Sequence, residues 1–281
     1  MLRCRALIPS LGRFCCGESG AALPDLTDAS PYICAVPIVE GGVTGEVLIV
    51  VPAWNEAAAL PIMLAELRRL IPSADVLVVN DGSTDATSEV VREAGERVVD
   101  LPYNIGVGGA MRTGFLYAAR RGYGVVIQLD ADGQHDPSHI AELVDQVRAG
   151  VDVVIGSRFA GVGDYPVHGP RRWAMRLLAI SLSILVGHRL TDVTSGFRAA
   201  GPRAIALFAR NYPPEYLGDT VESLVLAHRA GLTIAQVPVA MRSRVAGTPS
   251  QSVWRAGLYL GRALLVLALA LIRSSPAESA A

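Results

Sequence analysis

With 281 residues, 51% hydrophobic and 18% charged, the chain has material for one large domain or two small ones with a sizeable core, which excludes a wholly disordered protein. A formal net charge of -1, with all 25 basic residues arginine, leaves no basic surplus and argues against a nucleic-acid binder. Cys4, Cys15, Cys16 and Cys34 are the only cysteines, so the chain beyond residue 34 forms neither an internal disulfide nor a thiolate metal site, and a reducing compartment fits.

Residues 1–45 are rich in Cys, Gly and Pro and lack helical or strand periodicity, the pattern of a mobile extension. The opening MLRCRALIPSLGRFCCG is broken by Arg5, Pro9 and Arg13 and lacks the apolar core of about 7 to 15 residues expected of a secretory signal. The cysteine spacing does not provide paired ligands for zinc.

Regular patterning starts at Glu46. EVLIVVP reads as a short buried strand, and Leu60, Met63, Leu64, Leu67, Leu70 and Ile71 then recur at helical spacing. DVLVVN and RVVDL are further strands, with TDATSEVVREAG between them as a helix. VGGAMRTGFLYAARRG predicts a helix, GVVIQL a strand, SHIAELVDQVRAG a helix and DVVIGS a strand. Strands alternating with helices predict parallel pairing, and apolar runs without alternation predict strands covered on both faces. The expected fold is a three-layer α/β sandwich with a mostly parallel sheet. Its right-handed crossovers gather the strand C-termini on the edge where such sheets bind ligands.

Polar groups stand at four of those ends: PAWNE, NDGSTD, DADGQHDP, and Ser157 with Arg158. In extended backbone, side chains at i and i+2 point the same way, so Asp130 and Asp132 are expected to present two carboxylates to one point. Two like charges there call for a cation. Carboxylate oxygens suit Mg2+ or Mn2+, Gln134 can add a carbonyl oxygen, and Gly133 permits a sharp turn. An ion held by so few protein groups commonly bridges a diphosphate. Asp81, beyond a strand end, is a candidate for a base N–H or a ribose hydroxyl. Arg158, with Arg242 and Arg244 in MRSRVAG, is a candidate for phosphate. NIGVGG is not a dinucleotide fingerprint, because Met111 occupies the third glycine position, and no GK[ST] marks a P-loop. Asp136 before Pro137 reads as a helix cap, and Ser83 or Thr84 are cap candidates too.

VVPAWNE, VVNDGSTD, NIGVGGAMRTG, QLDADGQHDP, VIGSRF, DVTSGFRA and VPVAMRSRVAG, in this order, resemble family 2 glycosyltransferases of the GT-A fold, in the polyprenyl-phosphate, dolichol-phosphate mannose synthase-like branch. The likeness spans residues 46 to about 250. It implies a catalytic domain over 46–245, with 246–281 as an apolar helix and tail. It also implies inverting, metal-dependent transfer of a sugar from a GDP-, UDP- or dTDP-linked donor to a polyprenyl phosphate in cell-envelope glycan or glycoprotein biosynthesis. Pro52, Glu56, Asp81 and Asp130 are the implied nucleotide contacts, and Asp130, Asp132 and Gln134 the metal ligands. Asp130, Asp132 and Arg158 are the implied catalytic residues. Arg158, Arg242, Arg244, Asp192 and Ser195 are assigned to phosphate and acceptor. Trp54 departs from the tyrosine common in the family. A lipid phosphate is already anionic, whereas a hydroxyl acceptor needs a general base, for which Asp219 or Glu222 are candidates; a helix N-terminus is their structural alternative. A non-catalytic nucleotide- or lipid-binding subunit is the reading from another class.

A lipid acceptor predicts contact with a membrane surface at the cytoplasmic face, peripheral or monotopic. LLAISLSILV at 177–186 is too short to span, since a crossing helix needs about 20 apolar residues. It sits within an expected interface helix over about 172–190. Residues 256–272 are longer but are interrupted by Arg262 and flanked by Trp254, Arg255 and Arg273, the pattern of an interfacial helix.

Overall fold

The computed structural model describes residues 46–158, 170–187, 189–213 and 218–242. The expected N-terminal extension and the apolar helix at 256–272 lie outside the described residues.

Seven strands form one sheet: β1 (Val47–Ala53), β2 (Asp75–Asn80), β3 (Arg97–Asp100), β4 (Val125–Gln128), β5 (Val153–Ser157), β6 (Arg198–Ala200) and β7 (Ile234–Pro238). Their spatial order is β3-β2-β1-β4-β6-β5-β7. All neighbours are parallel except β6, which runs antiparallel to β4 and β5. The helices are α1 (Leu60–Leu70), α2 (Thr87–Glu93), α3 (Val107–Arg121), α4 (Ile140–Arg148), α5 (Pro170–Val186), α6 (Pro202–Asn211) and α7 (Ser223–Arg229).

The apolar runs become strands because both sheet faces are covered. In β1, Leu48 and Val50 enter the core layer shared with α3, α5, α6 and α7, while Ile49 and Val51 enter the opposite layer with α1 and α4. The helices fit through the spacing the sequence announced: α1 buries Leu60, Met63, Leu64 and Leu67, and α4 buries Ile140, Leu143, Val144 and Val147. In α3, Gly114 allows close approach to β1, since a Cβ there would lie 2.4 Å from Val50 Cγ1.

This order places the site. Consecutive strands run outward from β1 through β2 to β3, and the chain then returns to β4 on the other side of β1, so the switch point lies between β1 and β4, where open α/β sheets bind ligands. Because β6 is reversed, its N-terminal end meets the C-terminal ends of β4 and β5: Arg198 is in register with Gln128 and Ile155. The DVTSGF loop preceding Arg198 therefore reaches the same edge.

Candidate active site at the sheet edge

The loops after β1 and β2 are laced together. Asn55, at φ 56°, donates its amide to Ser83 Oγ at 2.9 Å and accepts from the Thr84 amide at 2.8 Å. The Glu56 amide donates to Thr87 Oγ1 at 3.0 Å, and the Glu56 carbonyl accepts from the Ala59 and Leu60 amides. Ser83 thus joins two loops instead of capping α2, and the Thr87 amide donates to Asp85. Pro52 is half-buried opposite Val79.

Asp81 is buried, and its two oxygens accept from the amides of Ile105 at 2.8 Å and Gly106 at 2.9 Å. Burial raises its carboxyl above the ordinary value of 3.8, opposed by those two amides. Its observed contacts anchor the NIGVGG loop at the end of β2. Gly82 makes that anchoring possible: at φ +68°, it faces the Tyr103–Asn104 backbone so closely that a Cβ would fall 2.6 Å from Asn104 N.

The DADGQHDP loop corrects one expectation. β4 ends at Gln128 and residues 131–133 form a turn, so the alternation of an extended strand does not aim the Asp130 and Asp132 carboxylates. Loop contacts orient them instead. Asp132 is buried and accepts the Gln134 amide at 3.0 Å, and Gly133 turns with φ 73°. The Asp130 side chain is 39% exposed; its amide donates to His135 Nδ1 at 3.4 Å, and His135 stacks on Phe197 with centroids 5.1 Å apart. Gly196 faces this carboxylate, and a Cβ there would lie 3.1 Å from Asp130 Oδ2. Asp136 caps a 3-10 turn by accepting the Ser138 amide at 2.9 Å, with Pro137 at its first position, as the sequence predicted.

The donor set fits a hard divalent cation. It is all oxygen, one carboxylate reaches solvent, and the missing Cβ of Gly196 leaves the flank of Asp130 open. Among the described residues, no cluster of three or more His, Cys, Asp or Glu could enclose a metal by itself.

At the end of β5, Arg158 pairs with the fully buried Asp192, Nε to Oδ2 at 2.6 Å and Nη2 to Oδ1 at 2.9 Å, and also donates to Thr194 Oγ1 at 2.9 Å. Burial pushes Asp192 up, but the bonds and charge of Arg158, with the amides of Arg158 and Thr194, outweigh it and hold the carboxyl below 3.8. Ser195 is buried and its hydroxyl accepts the Phe197 amide at 3.3 Å.

Arg242 has a different setting from the one its sequence position suggested. Its guanidinium bonds Glu66 at 2.8 Å and Asp136 at 2.7 Å, and its amide donates to the Gln134 carbonyl at 2.9 Å. These contacts stitch the chain after β7 onto the DADGQHDP loop. Arg244 and the side chain of Asp219 lie outside the described residues. Glu222 ends a one-turn π-helix (Gly218–Glu222), is half-buried, and has its carboxyl raised by burial. Sequence reasoning passed over His135, Gly196 and Arg198, because their signal is spatial: each touches a motif residue distant in the chain or across a turn.

The model of glycosyl transferase family 2 matches residues 48–203, more than half of the chain, from β1 into the start of α6. The chain belongs to glycosyl transferase family 2. This family 2 enzyme is 36% identical over 216 residues to an undecaprenyl-phosphate mannosyltransferase of Micrococcus luteus, covering 73% of this chain and 87% of that one. It is 34% identical over 168 residues to a polyprenol monophosphomannose synthase of Mycolicibacterium smegmatis, covering 56% of this chain and 62% of that one. Among solved structures, glucosyl-3-phosphoglycerate synthase of Mycobacterium tuberculosis, in complex with Mn2+ and uridine-diphosphate-glucose, is similar with a TM-score of 0.60 and 24% identity, over 79% of this chain and 77% of that one. The mostly parallel seven-stranded sheet is thus that of a GT-A glycosyltransferase, as the sequence motifs implied.

Proposed function

We propose that this glycosyltransferase moves a sugar from a nucleotide-diphosphate donor to a polyprenyl phosphate, with inversion at the anomeric carbon. The observation that carries this reading is the meeting, on one sheet edge, of an acidic loop after β4 that bears Asp130 and Asp132 and a guanidinium fixed by a buried carboxylate after β5. The first suits a cation–diphosphate pair and the second an anionic phosphate. The names of the mannosyltransferase and synthase relatives, both polyprenyl-phosphate enzymes, support the same acceptor class.

Asp130 and Asp132, with Gln134, would hold Mg2+ or Mn2+, which when bound neutralises charge on the departing nucleoside diphosphate. Pro52, Glu56 and Asp81 line the donor side, where Asp81 also fixes the NIGVGG backbone. Arg158 is assigned to phosphate; its pairing with Asp192 holds the guanidinium plane before substrate arrives, which lowers the ordering cost of binding. Arg244 is a second phosphate candidate, Arg242 acts through the cross-link it forms, and Ser195 shapes the acceptor side. An anionic lipid phosphate attacks in line without giving up a proton, so no general base is required.

A polyprenyl chain places the enzyme at a bilayer, at the cytoplasmic face where nucleotide sugars are available. Among the described residues, no helix is long and apolar enough to cross a membrane. Peripheral or monotopic attachment is supported by α5, which exposes Leu177, Ile180 and Ile184 along one stripe while burying Leu178 and Leu182.

Thermal-shift titration with UDP, GDP and dTDP, each with Mg2+ or Mn2+, tests the donor side; stabilisation by none of them would refute it. Lability of the product tests the acceptor: a sugar on a lipid phosphate is released by mild acid, and an ordinary glycoside survives. Survival would favour a second reading, transfer to a hydroxyl, which the raised, half-buried Glu222 supports.

A further inference from the structure

Arg198 is a buried cation that the donor and metal assignments do not use. It begins β6, and its side chain reaches two separate segments. Nε donates to the Ser195 carbonyl and Nη2 to the Val193 carbonyl, both at 2.8 Å. Nη1 donates to the Thr220 carbonyl at 2.8 Å and to Ser223 Oγ at 2.9 Å. A buried guanidinium is tolerated only where its N–H groups are met, and here three of the acceptors are backbone carbonyls. Backbone carbonyls gripped by one rigid planar group lose the freedom to shift independently.

The two gripped segments matter for different reasons. Residues 192–196 carry Asp192, which fixes Arg158, and Gly196, which abuts the Asp130 carboxylate. Residues 218–222 form the π turn that ends in Glu222, and Ser223 opens α7. A π turn widens the helix and forgoes ordinary i→i−4 bonding, so such turns need outside support and often occur at functional sites.

We infer that Arg198 is a positioning residue that locks the π turn at 218–222 to the 193–195 loop, setting the acceptor side of the reaction relative to Arg158. The inference rests on the proposal that this side receives the acceptor. It assigns Arg198 no contact with substrate. Lysine cannot reproduce the lock, because one ammonium cannot span carbonyls on two segments in the planar fork.

The test uses full-length Arg198→Lys and Arg198→Gln, with Ser223→Ala as a mild variant that removes one acceptor and leaves the charge. Steady-state kinetics with a nucleotide sugar and a polyprenyl phosphate, normalised to folded protein, should show the acceptor KM raised about tenfold in Arg198→Lys and about twofold to threefold in Ser223→Ala, the loss of one or more charge-assisted hydrogen bonds. The donor KM and the nucleotide-induced thermal shift should change less than the acceptor KM, since the guanidinium hydrogen-bonds Val193, Ser195, Thr220 and Ser223 and bears on the metal loop through Gly196. Amide hydrogen exchange on the same proteins should accelerate at 193–195 and 218–223, and remain unchanged at 104–106. Unchanged exchange at 193–195 and 218–223 overturns the lock, as does a proportional fall of donor and acceptor parameters. If wild type turns over no polyprenyl phosphate, the acceptor assignment fails by itself, and the exchange measurement still decides the role of Arg198.

Discussion

Arg158 grips Asp192 at two points, Nε to Oδ2 at 2.6 Å and Nη2 to Oδ1 at 2.9 Å, with the carboxylate fully buried and the guanidinium side chain 12% exposed. Breaking such a pair leaves an uncompensated buried charge, which costs about 3 to 5 kcal/mol. Arg158→Met should therefore lose about that much stability at pH 7 in urea denaturation, along with activity. The pH dependence has a definite sign. In wild type the folded carboxyl lies below 3.8, so its contribution is complete above that value and is lost as pH falls through the folded one. In the variant, burial without the arginine raises the carboxyl, and protonation then relieves the penalty. The gap between the two proteins should narrow at about pH 4.5 relative to pH 7; an equal gap at both would show that the pair is not the cause.

Gly196 supplies a gentler perturbation of the proposed metal seat. Alanine there puts a Cβ 3.1 Å from Asp130 Oδ2, 3.3 Å from Oδ1 and 3.4 Å from Gln128 Nε2. The half-exposed carboxylate yields by a few tenths of an ångström before the backbone does. We expect Gly196→Ala to fold with a Tm close to wild type while Mn2+-dependent nucleotide binding and turnover fall about tenfold, as small misplacements of reacting groups do. Asp132→Ala should abolish metal-dependent turnover with the fold intact. Titration calorimetry of nucleotide with and without Mn2+ separates the two effects, and wild-type metal dependence in both variants would dismiss this seat.

Asp81 gives a third outcome. An asparagine in its place keeps one acceptor oxygen but turns an NH2 toward one of the Ile105 and Gly106 amides. The Gly106 amide keeps a second acceptor in Asn104 Oδ1 at 3.1 Å and Ile105 is exposed, so Asp81→Asn should lower stability by only about 1 kcal/mol and weaken nucleotide binding through the released NIGVGG loop. Crystallographic or exchange evidence of an unchanged 104–106 loop, with binding intact, would count against both roles.

What was legible in the sequence follows from what is local. The unbroken apolar runs of β1, β2, β4 and β5 announced buried strands, and the spacings in α1 and α4 announced their inner faces. β6 carried no such signal: Arg-Ala-Ala is a strand only because β4 and β5 pair with it on both sides, and it runs against the parallel direction of the other strands described in the sheet. The motif residues on the common edge were legible because they stand at strand ends. Their orientation was not, since it comes from remote partners. Asp130 is flanked by Gly196, Arg158 is fixed by Asp192, and Arg242 is drawn to Glu66, 176 positions away.

Glu222 distinguishes the two acceptor chemistries. Its carboxyl is raised above 4.5 by burial, as suits a group that accepts a proton near neutrality more readily than an exposed glutamate. With an anionic lipid phosphate as acceptor, there is no proton to take. Glu222→Gln should then leave kcat within about threefold of wild type, whereas loss of a general base costs about 10²- to 10⁴-fold. The pH–rate profile offers an independent readout. A limb that rises with pH in wild type and disappears in the glutamine variant would identify a base and favour a hydroxyl acceptor.

The exposed ridge of α5 bears on where the reaction happens. Leu177, Ile180 and Ile184 are 50%, 50% and 72% exposed and recur at i, i+3 and i+7, so they share one stripe, while Leu178 and Leu182 hold the helix to the core. A stripe of three large aliphatic side chains gains about 1.5 to 3 kcal/mol for each one fully buried, enough to support reversible attachment but not insertion across a bilayer. Replacing all three with serine should leave the buried face and the Tm nearly unchanged. Co-sedimentation with vesicles should fall about tenfold or more, and activity on lipid acceptor in vesicles should fall with it. Activity on a detergent-solubilised short-chain acceptor should survive, because the ridge is not assigned any contact with the reacting groups. Vesicle binding unchanged by the triple substitution would remove α5 as the attachment surface.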